Sequence, residues 1–198
     1  KPWTIISYMF LHSDFFHILW NMLILYWFGG RVLREFLGDK KILPIYFYGG
    51  LFGALFAIGV YELFPDLQYV NEAGEKTGFM LGASAGVISV VLATITLVPN
   101  YTFFLIFIGP VKIKYIGLVF IFLDIVAITY FSNVGGHLGH LGGALIGYLF
   151  IQQLQNGKDW SIGFNRMMDW LVRVFSFRKR RGPRVAYKRP GASSQRTT

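Results

Sequence analysis

Five apolar stretches, each close to the length that a helix needs to cross a lipid bilayer, dominate this 198-residue sequence. They cover residues 4–30, 42–64, 78–98, 115–131 and 134–153. A membrane-spanning helix needs about 20 apolar residues, because each residue advances it by about 1.5 Å. The chain is 54% hydrophobic and only 15% charged, whereas a soluble domain carries about 25% charged residues. These features predict an all-α protein, a polytopic membrane bundle of five spans within residues 1–156.

Basic residues are unequally divided between the two sides on which the predicted loops alternate. Lys1 and Lys76 lie on one side, and eleven lysines and arginines of residues 157–198 lie on the other. The loops of that second side add six more, which are Arg31, Arg34, Lys40, Lys41, Lys112 and Lys114. Basic loops stay on the cytoplasmic side of a membrane. We therefore expect a cytoplasmic C-terminus, a bacterial inner-membrane location and a further span upstream of residue 1.

The C-terminal residues differ in character from the five apolar stretches. Residues 157–177 place apolar side chains at helical spacing between charged ones, which predicts an amphipathic helix on the membrane surface. Residues 178–198 are basic and are predicted to be a disordered cytoplasmic tail. No nucleic-acid partner is expected, because no binding module accompanies the positive charge. Residues 101–111 are interpreted as a loop or shallow interfacial piece, since Gly109 and Pro110 interrupt them.

Polar residues inside the apolar stretches mark a candidate site, because they are costly in a membrane unless they face the bundle interior. They are His12, His17 and Asn21 in the first stretch, Ser84, which follows Gly82 and Ala83, in the third, and His137 and His140 in the fifth. Alternating topology makes these three spans run in the same direction. Ser84 and His140 each lie six residues past the start of their stretch, or roughly 9 Å deep. The three clusters are therefore predicted to converge in one layer.

The residue types in this layer fit nucleophilic catalysis. A serine beside a histidine can attack a carbonyl group, with the histidine as general base and then acid. Free backbone N–H groups at a helix N-terminus, an amide such as that of Asn21 and an imidazole could bind the developing oxyanion. Gly143 and Gly147 form a small-xxx-small face that would let the His140 helix pack closely on its neighbour.

Other interpretations of the same residues remain open at this point. A Gly-Ala-Ser run in a membrane helix is more often a packing face than a nucleophile. A single intramembrane histidine is as often a structural hydrogen-bonding group as a functional one. His137 and His140 could be metal ligands, but no HExxH motif or nearby acidic partner supports this, so neither metal nor cofactor is expected. Asp124, in the fourth stretch, is expected to pair with a polar group or to lie near the outer mouth, without a catalytic role.

Three motifs together resemble those of rhomboid intramembrane serine proteases. His12, His17 and Asn21 match HxxxxHxxxN, Gly82 and Ser84 match GxS, and His140, Gly143 and Gly147 match HxxGxxxG. The resemblance covers residues 2–153. It implies that the five spans are the second to sixth helices of a six-helix core.

The resemblance also implies roles for individual residues. Ser84 would be the nucleophile and His140 the general base, forming a dyad without an acidic third member. Oxyanion support would come from His17, Asn21 and the backbone around Gly82, Ala83 and Ser84, and His12 would be structural. The substrate would be a transmembrane helix of another protein, and membrane lipid would surround the bundle. The alternatives are a catalytically inactive rhomboid-like protein that binds membrane clients, and a small transporter.

Overall fold

The computed structural model describes residues 2–70, 74, 76–78, 80–130 and 133–175, which form a helical bundle with two small hairpins. The helices are α1 (Thr4–Ser7), α2 (Phe15–Ile24), α3 (Arg34–Leu37), α4 (Asp39–Leu63), α5 (Ser84–Leu97), α6 (Ile113–Thr129), α7 (Val134–Gln155) and α8 (Ser161–Phe175). The π-helix Leu25–Leu33 joins α2 to α3, and 3₁₀ turns cover Tyr8–Phe10 and Pro65–Leu67. The antiparallel pairs are β1 (Tyr69–Val70) with β2 (Lys76–Thr77), and β3 (Thr102–Leu105) with β4 (Gly109–Lys112).

Two of the described helices, α4 and α7, are long and apolar enough to cross a membrane by length and composition. Helix α5 is also apolar, but its 14 residues extend over only roughly 21 Å. The predicted all-α bundle is confirmed, and each of the five predicted spans contains a helix of that bundle. The first and third spans, however, begin later than predicted.

The first predicted span is interrupted before its polar residues. Leu11 has an extended backbone, and so does Asp14, the residue that caps α2. The Asp14 carboxylate accepts the backbone N–H of His17 at 2.9 Å, which satisfies one of the free donors of the first helical turn. Helix α2 therefore begins at Phe15, and the first apolar stretch is divided into α1 with its 3₁₀ turn, a short extended link and α2.

The helix of the third predicted span begins later than residue 78, because the backbone at Gly82 is not helical. Gly82 has a φ of 119°, a conformation that L side chains rarely adopt. Its N–H donates to the carbonyl of Tyr8 at 3.0 Å rather than to a helical partner. The chain becomes helical only at Ser84, which is the first residue of α5 rather than a residue six positions inside a span.

Glycines bring the backbones of α5 and α7 into direct contact. A side chain at Gly143 would overlap the carbonyl oxygen of Ala85, and one at Gly147 would overlap that of Ser89. The two contacts are four residues apart on both helices, so α5 and α7 run in the same direction. The close packing predicted for Gly143 and Gly147 is therefore present.

Helix α4 completes this glycine-lined contact from the opposite direction. Gly49 faces Ser89 and Gly53 faces Ala85, so the order along α4 is reversed relative to α5. A side chain at Gly53 would also lie 2.6 Å from the carbonyl oxygen of Gly139 on α7. The buried hydroxyl of Ser89 donates to the Ile45 carbonyl at 3.1 Å, which adds a polar link between α4 and α5. These three helices form the rigid centre of the bundle.

Residues 101–111 form the β3–β4 hairpin, which confirms that they are not a sixth span. The turn between the two strands is apolar and projects away from the bundle. Ile106 and Phe107 are 93% and 97% exposed. The hairpin follows the C-terminal end of α5, so it lies at the end of the bundle opposite Ser84.

Helix α8 lies within the segment predicted to be amphipathic, and polar contacts attach it to the start of α4. Lys41 forms an ion pair with Asp159 and donates to the Ser161 hydroxyl at 2.8 Å. Burial alone would raise the pKa of Asp159, but hydrogen bonds from Lys41 and Ser161 outweigh it and lower that pKa below its ordinary value. Whether α8 lies on a membrane surface stays a prediction. The predicted disordered tail lies outside the described residues.

We expect Gly143→Ala to destabilise the bundle by about 1–3 kcal/mol, because a backbone carbonyl stands where the new methyl group would be. The control is Gly59→Ala in α4, where no atom lies within 4 Å of the added methyl group. Unfolding in mixed detergent micelles with increasing dodecyl sulfate measures the difference. Equal stability of the two variants would contradict the backbone contact between α5 and α7.

We expect Lys41→Met to release α8 without unfolding the bundle, since the ion pair with Asp159 is only about one-fifth exposed and links the two segments directly. Because the pKa of Asp159 is lowered in the folded state, its carboxylate stabilises the contact at neutral pH, and this stabilisation is lost as the pH falls through the lowered pKa. Hydrogen exchange of the α8 amides reports release. The matched control is Lys40→Met, which replaces the exposed neighbouring side chain and should leave exchange unchanged.

Candidate active site

Ser84 occupies the N-terminus of α5, directly after the bend at Gly82 and Ala83. The first backbone N–H groups of a helix have no intrahelical partner. The Ser84 side chain is partly buried, and its hydroxyl oxygen lies 3.5 Å from the point that a Cβ on Gly82 would occupy. A nucleophile and the backbone donors of the first helical turn therefore lie side by side.

His17 approaches the same point beside Gly82 from α2. Its Nε2 atom lies 2.7 Å from the Cβ position of Gly82, so any side chain at residue 82 would collide with the imidazole. The other ring nitrogen, Nδ1, lies 3.1 Å from the Ser13 hydroxyl. This contact and the Asp14 cap fix the imidazole, and they leave Nε2 at the point beside Gly82 that the Ser84 hydroxyl also approaches.

His12 and Asn21 lie beside Ser84 and His17, but both bond to the backbone. This differs from the predicted arrangement, in which Asn21 and the Ala83 N–H help to bind an oxyanion. The Ala83 N–H, expected to help bind an oxyanion, donates instead to His12 Nε2 at 3.4 Å. The imidazole rings of His12 and His17 meet edge to face, with centroids 5.0 Å apart. The buried Asn21 amide donates to the His17 carbonyl one helical turn earlier, at 2.8 Å. His12 thus orders the loop before α5, and Asn21 supports the backbone that carries His17.

His140 approaches Ser84 through the close contact of α5 and α7. It lies between Gly139 and Gly143, and the backbone of Gly143 meets that of Ala85, the residue after Ser84. Along the parallel helices, this register places His140 about half a turn, or roughly 3 Å, nearer the mouth of the bundle than Ser84. Within the part of the chain that the structure describes, the Ser84 hydroxyl makes no hydrogen bond to His140.

Asp124 is the site residue that sequence reasoning missed. Its Oδ1 atom lies 2.7 Å from His137 Nδ1 and 2.8 Å from His140 Nδ1, and the residue is 6% exposed. The expectation that it pairs with a polar group is correct, but the partner is the proposed general base. The sequence did indicate that Asp124 faces the bundle interior, because an ionisable residue in a membrane span usually does so. The spacing of His137 and His140 also places both on one helical face.

These three side chains also change the argument about metal binding. The sequence indicated no acidic partner for His137 and His140, and the structure shows that this premise is wrong. One ligand atom from each of the three residues lies within 4.8 Å of the others, so the set could hold a metal ion. The separations of 2.7 and 2.8 Å are those of direct hydrogen bonds between the imidazoles and the carboxylate.

A cavity of about 860 Å³ opens beside this site. It lies between β1, the start of α7 and the loop that precedes α5. Its wall is largely apolar, and His17 and Ser13 add polar groups. Residues that line it include Tyr61, Leu67, Val70, Leu81 and Val134. A concave, mostly apolar cavity with a few convergent polar groups is typical of a binding site.

Comparison with known proteins gives consistent matches. The sequence profile of the Rhomboid domain matches residues 1–155. RHOMBOID-like protein 12, mitochondrial, of Arabidopsis thaliana is 34% identical over 163 residues, which cover 78% of this chain and 47% of that protein. Presenilin-associated rhomboid-like protein A, mitochondrial, of Danio rerio is 25% identical over 83% of this chain and 38% of its own length. No solved structure matches the chain.

The chain spans less than half the length of these relatives. Their names are mitochondrial, so the expected bacterial inner membrane gains no support from them. The match to the domain profile covers more than half of the chain, and it includes all three motifs and every helix that positions them. The chain is therefore a membrane protein of the rhomboid family.

Proposed function

We propose that this protein is an intramembrane serine endopeptidase that cleaves transmembrane-helix substrates, with Ser84 and His140 as its reacting pair. The observation that carries the proposal is the position of Ser84. Its hydroxyl lies at a helix N-terminus, approaches the same point beside Gly82 as His17 Nε2, and neighbours the helix that bears His140. This combination supplies a nucleophile, a base and donors for an oxyanion within one layer of the bundle.

The reaction follows from these groups. His140 takes the proton of the Ser84 hydroxyl as its oxygen attacks the carbonyl carbon of the scissile peptide. The tetrahedral intermediate collapses when the C–N bond breaks, and His140 gives the proton to the leaving amine. Water then attacks the Ser84 ester, again with His140 as base, and releases the new carboxyl group and the free hydroxyl. A rotation of side chains must first bring the serine and histidine into hydrogen-bond contact.

Three groups support the oxyanion in this proposal. The backbone N–H of Ser84 lies at the positive end of α5, and His17 Nε2 approaches the same point beside Gly82 as the Ser84 hydroxyl. The Ala83 N–H can join them only if it leaves His12, because an N–H aimed at the imidazole is not free for a substrate carbonyl. Asn21 contributes by holding the His17 backbone.

The substrate in this proposal is a membrane helix that unwinds into the apolar cavity beside the site. An extended peptide can pack its side chains against the cavity wall while its scissile carbonyl reaches Ser84. The family resemblance implies small residues near the cleaved bond. The basic end of the bundle, with Lys41 and Lys112, lies opposite the site, so cleavage occurs in the half of the membrane away from the C-terminus.

We expect Ser84→Ala to abolish cleavage of a transmembrane reporter and labelling by a fluorophosphonate, because the alanine has no nucleophilic oxygen. The control is Ser7→Ala, which removes an exposed hydroxyl from α1 and should leave both signals unchanged. Reporter cleavage in proteoliposomes is followed by gel shift. If wild type and Ser84→Ala cut the reporter equally, Ser84 is not the nucleophile; if neither cuts several reporters, the inactive client-binding alternative is favoured.

We expect His17→Phe to lower kcat about 100-fold while reporter binding changes little, because phenylalanine fills similar volume without an Nε2 donor. Steady-state kinetics in proteoliposomes separates kcat from KM. A loss confined to KM would instead assign His17 to substrate binding.

A further inference from the structure

A buried carboxylate joins two histidines of α7 to α6, at a place where the family resemblance implies no acidic residue. Asp124 is 6% exposed, and the same Oδ1 atom receives both imidazoles. The side chains of His137 and His140 are about one-fifth exposed. A carboxylate buried in a membrane bundle is costly unless hydrogen bonds satisfy it. Its two hydrogen bonds with imidazoles therefore stabilise the buried charge.

The hydrogen-bond chemistry of this cluster fixes the protons. When Asp124 is ionised, its carboxylate can only accept hydrogen bonds, so each Nδ1 that approaches Oδ1 at 2.7 or 2.8 Å then carries a proton. In a neutral imidazole, a proton on one nitrogen leaves the other as an acceptor. His140 therefore presents an unprotonated Nε2 atom. A general base that takes a proton from a serine hydroxyl needs this tautomer.

We propose that Asp124 is the positioning residue of the site, holding His140 in the tautomer and orientation that let its Nε2 atom accept the Ser84 proton. This inference rests on the proposed protease function. It replaces the expected two-residue dyad by a serine, a histidine and an aspartate contributed by three helices, α5, α7 and α6. Once His140 takes up the proton, the adjacent carboxylate also stabilises the positive ring.

His137 completes the arrangement as a second donor to the same oxygen. It satisfies the carboxylate independently of His140, and the two rings meet edge to face with centroids 5.7 Å apart. Two donors from α7 therefore hold Asp124 in place beside His140. Loss of His137 leaves the Asp124–His140 bond in place and should have the smaller effect.

The test combines kinetics with the state of the histidine ring. We expect Asp124→Asn to lower kcat about 10²- to 10⁴-fold with KM within threefold of wild type, because an amide group can donate to Nδ1 and stabilise the wrong tautomer. The control, His137→Leu, should lose less than tenfold in kcat. All assays contain a chelator, since these side chains could also hold a divalent cation.

Nitrogen NMR of histidine-labelled protein supplies a readout that does not depend on activity. The sequence has only four histidines, and His137→Leu and His140→Gln assign their signals. We expect wild-type His140 to carry its proton on Nδ1, and Asp124→Asn to shift it to Nε2. A wild-type His140 protonated on Nε2, or an unchanged kcat in folded Asp124→Asn, overturns the proposal.

The two proposals fail in different ways. If wild type neither cleaves reporters nor reacts with the fluorophosphonate, the protease function fails, and the NMR signal of wild-type His140 still decides whether Asp124 sets its tautomer. If Asp124→Asn does not fold, that wild-type signal likewise remains decisive. An equal loss of kcat in His137→Leu and Asp124→Asn, with the His140 tautomer unchanged in both, would show a structural role only.

Discussion

The backbone contact between α5 and α7 is the constraint on which the rest of the structure depends. Helix axes can approach this closely only where a glycine faces a carbonyl, as Gly143 faces Ala85. The adjoining residues are Ser84 on one helix and His140 on the other. Packing that would ordinarily serve only stability therefore also sets the separation of two groups proposed to react.

Polar groups in this bundle must satisfy one another, because a lipid environment offers them no water. Within the described part of the chain, no fully buried side-chain nitrogen or oxygen lacks a hydrogen-bond partner. Near the site, Asp124 joins α6 to α7, Ser13 contacts His17, and His12 receives the backbone N–H that precedes Ser84. The same hydrogen bonds that satisfy these polar groups therefore also hold the side chains proposed to take part in catalysis.

The sequence could predict which helices meet but not how each helix begins. The small-residue spacing of Gly143 and Gly147 is a local pattern, so close packing of α7 could be inferred from it. The start of α5 could not, because hydropathy does not detect the unusual backbone at Gly82. The predicted depths of Ser84 and His140 nevertheless agree to about half a turn, since Gly143 on α7 lies against Ala85 on α5.

Asp124 escaped prediction for a different reason. Its partners come from another helix, and the face that α6 turns towards α7 depends on packing that no local pattern records. Its charge within an apolar stretch indicated that the side chain is buried, but did not indicate which residues it contacts. The opposite holds for Asp14, whose place before Phe15 is a recognisable helix cap. Local hydrogen bonds can thus be inferred from the sequence, whereas contacts between helices need the fold.

The spacing of the α7 glycines is compatible with more than one register between α5 and α7, whereas the contacts of the buried Asp124 carboxylate fit one register. Because Gly139, Gly143 and Gly147 repeat every four residues, α7 could slide by one turn and still set glycines against the carbonyls of α5. Such a slide would place apolar side chains such as Leu141 opposite Asp124 and leave its charge unpaired. In coiled coils a single buried polar residue selects one register among several that apolar packing would tolerate. In the observed alignment Asp124 is paired with both His137 and His140.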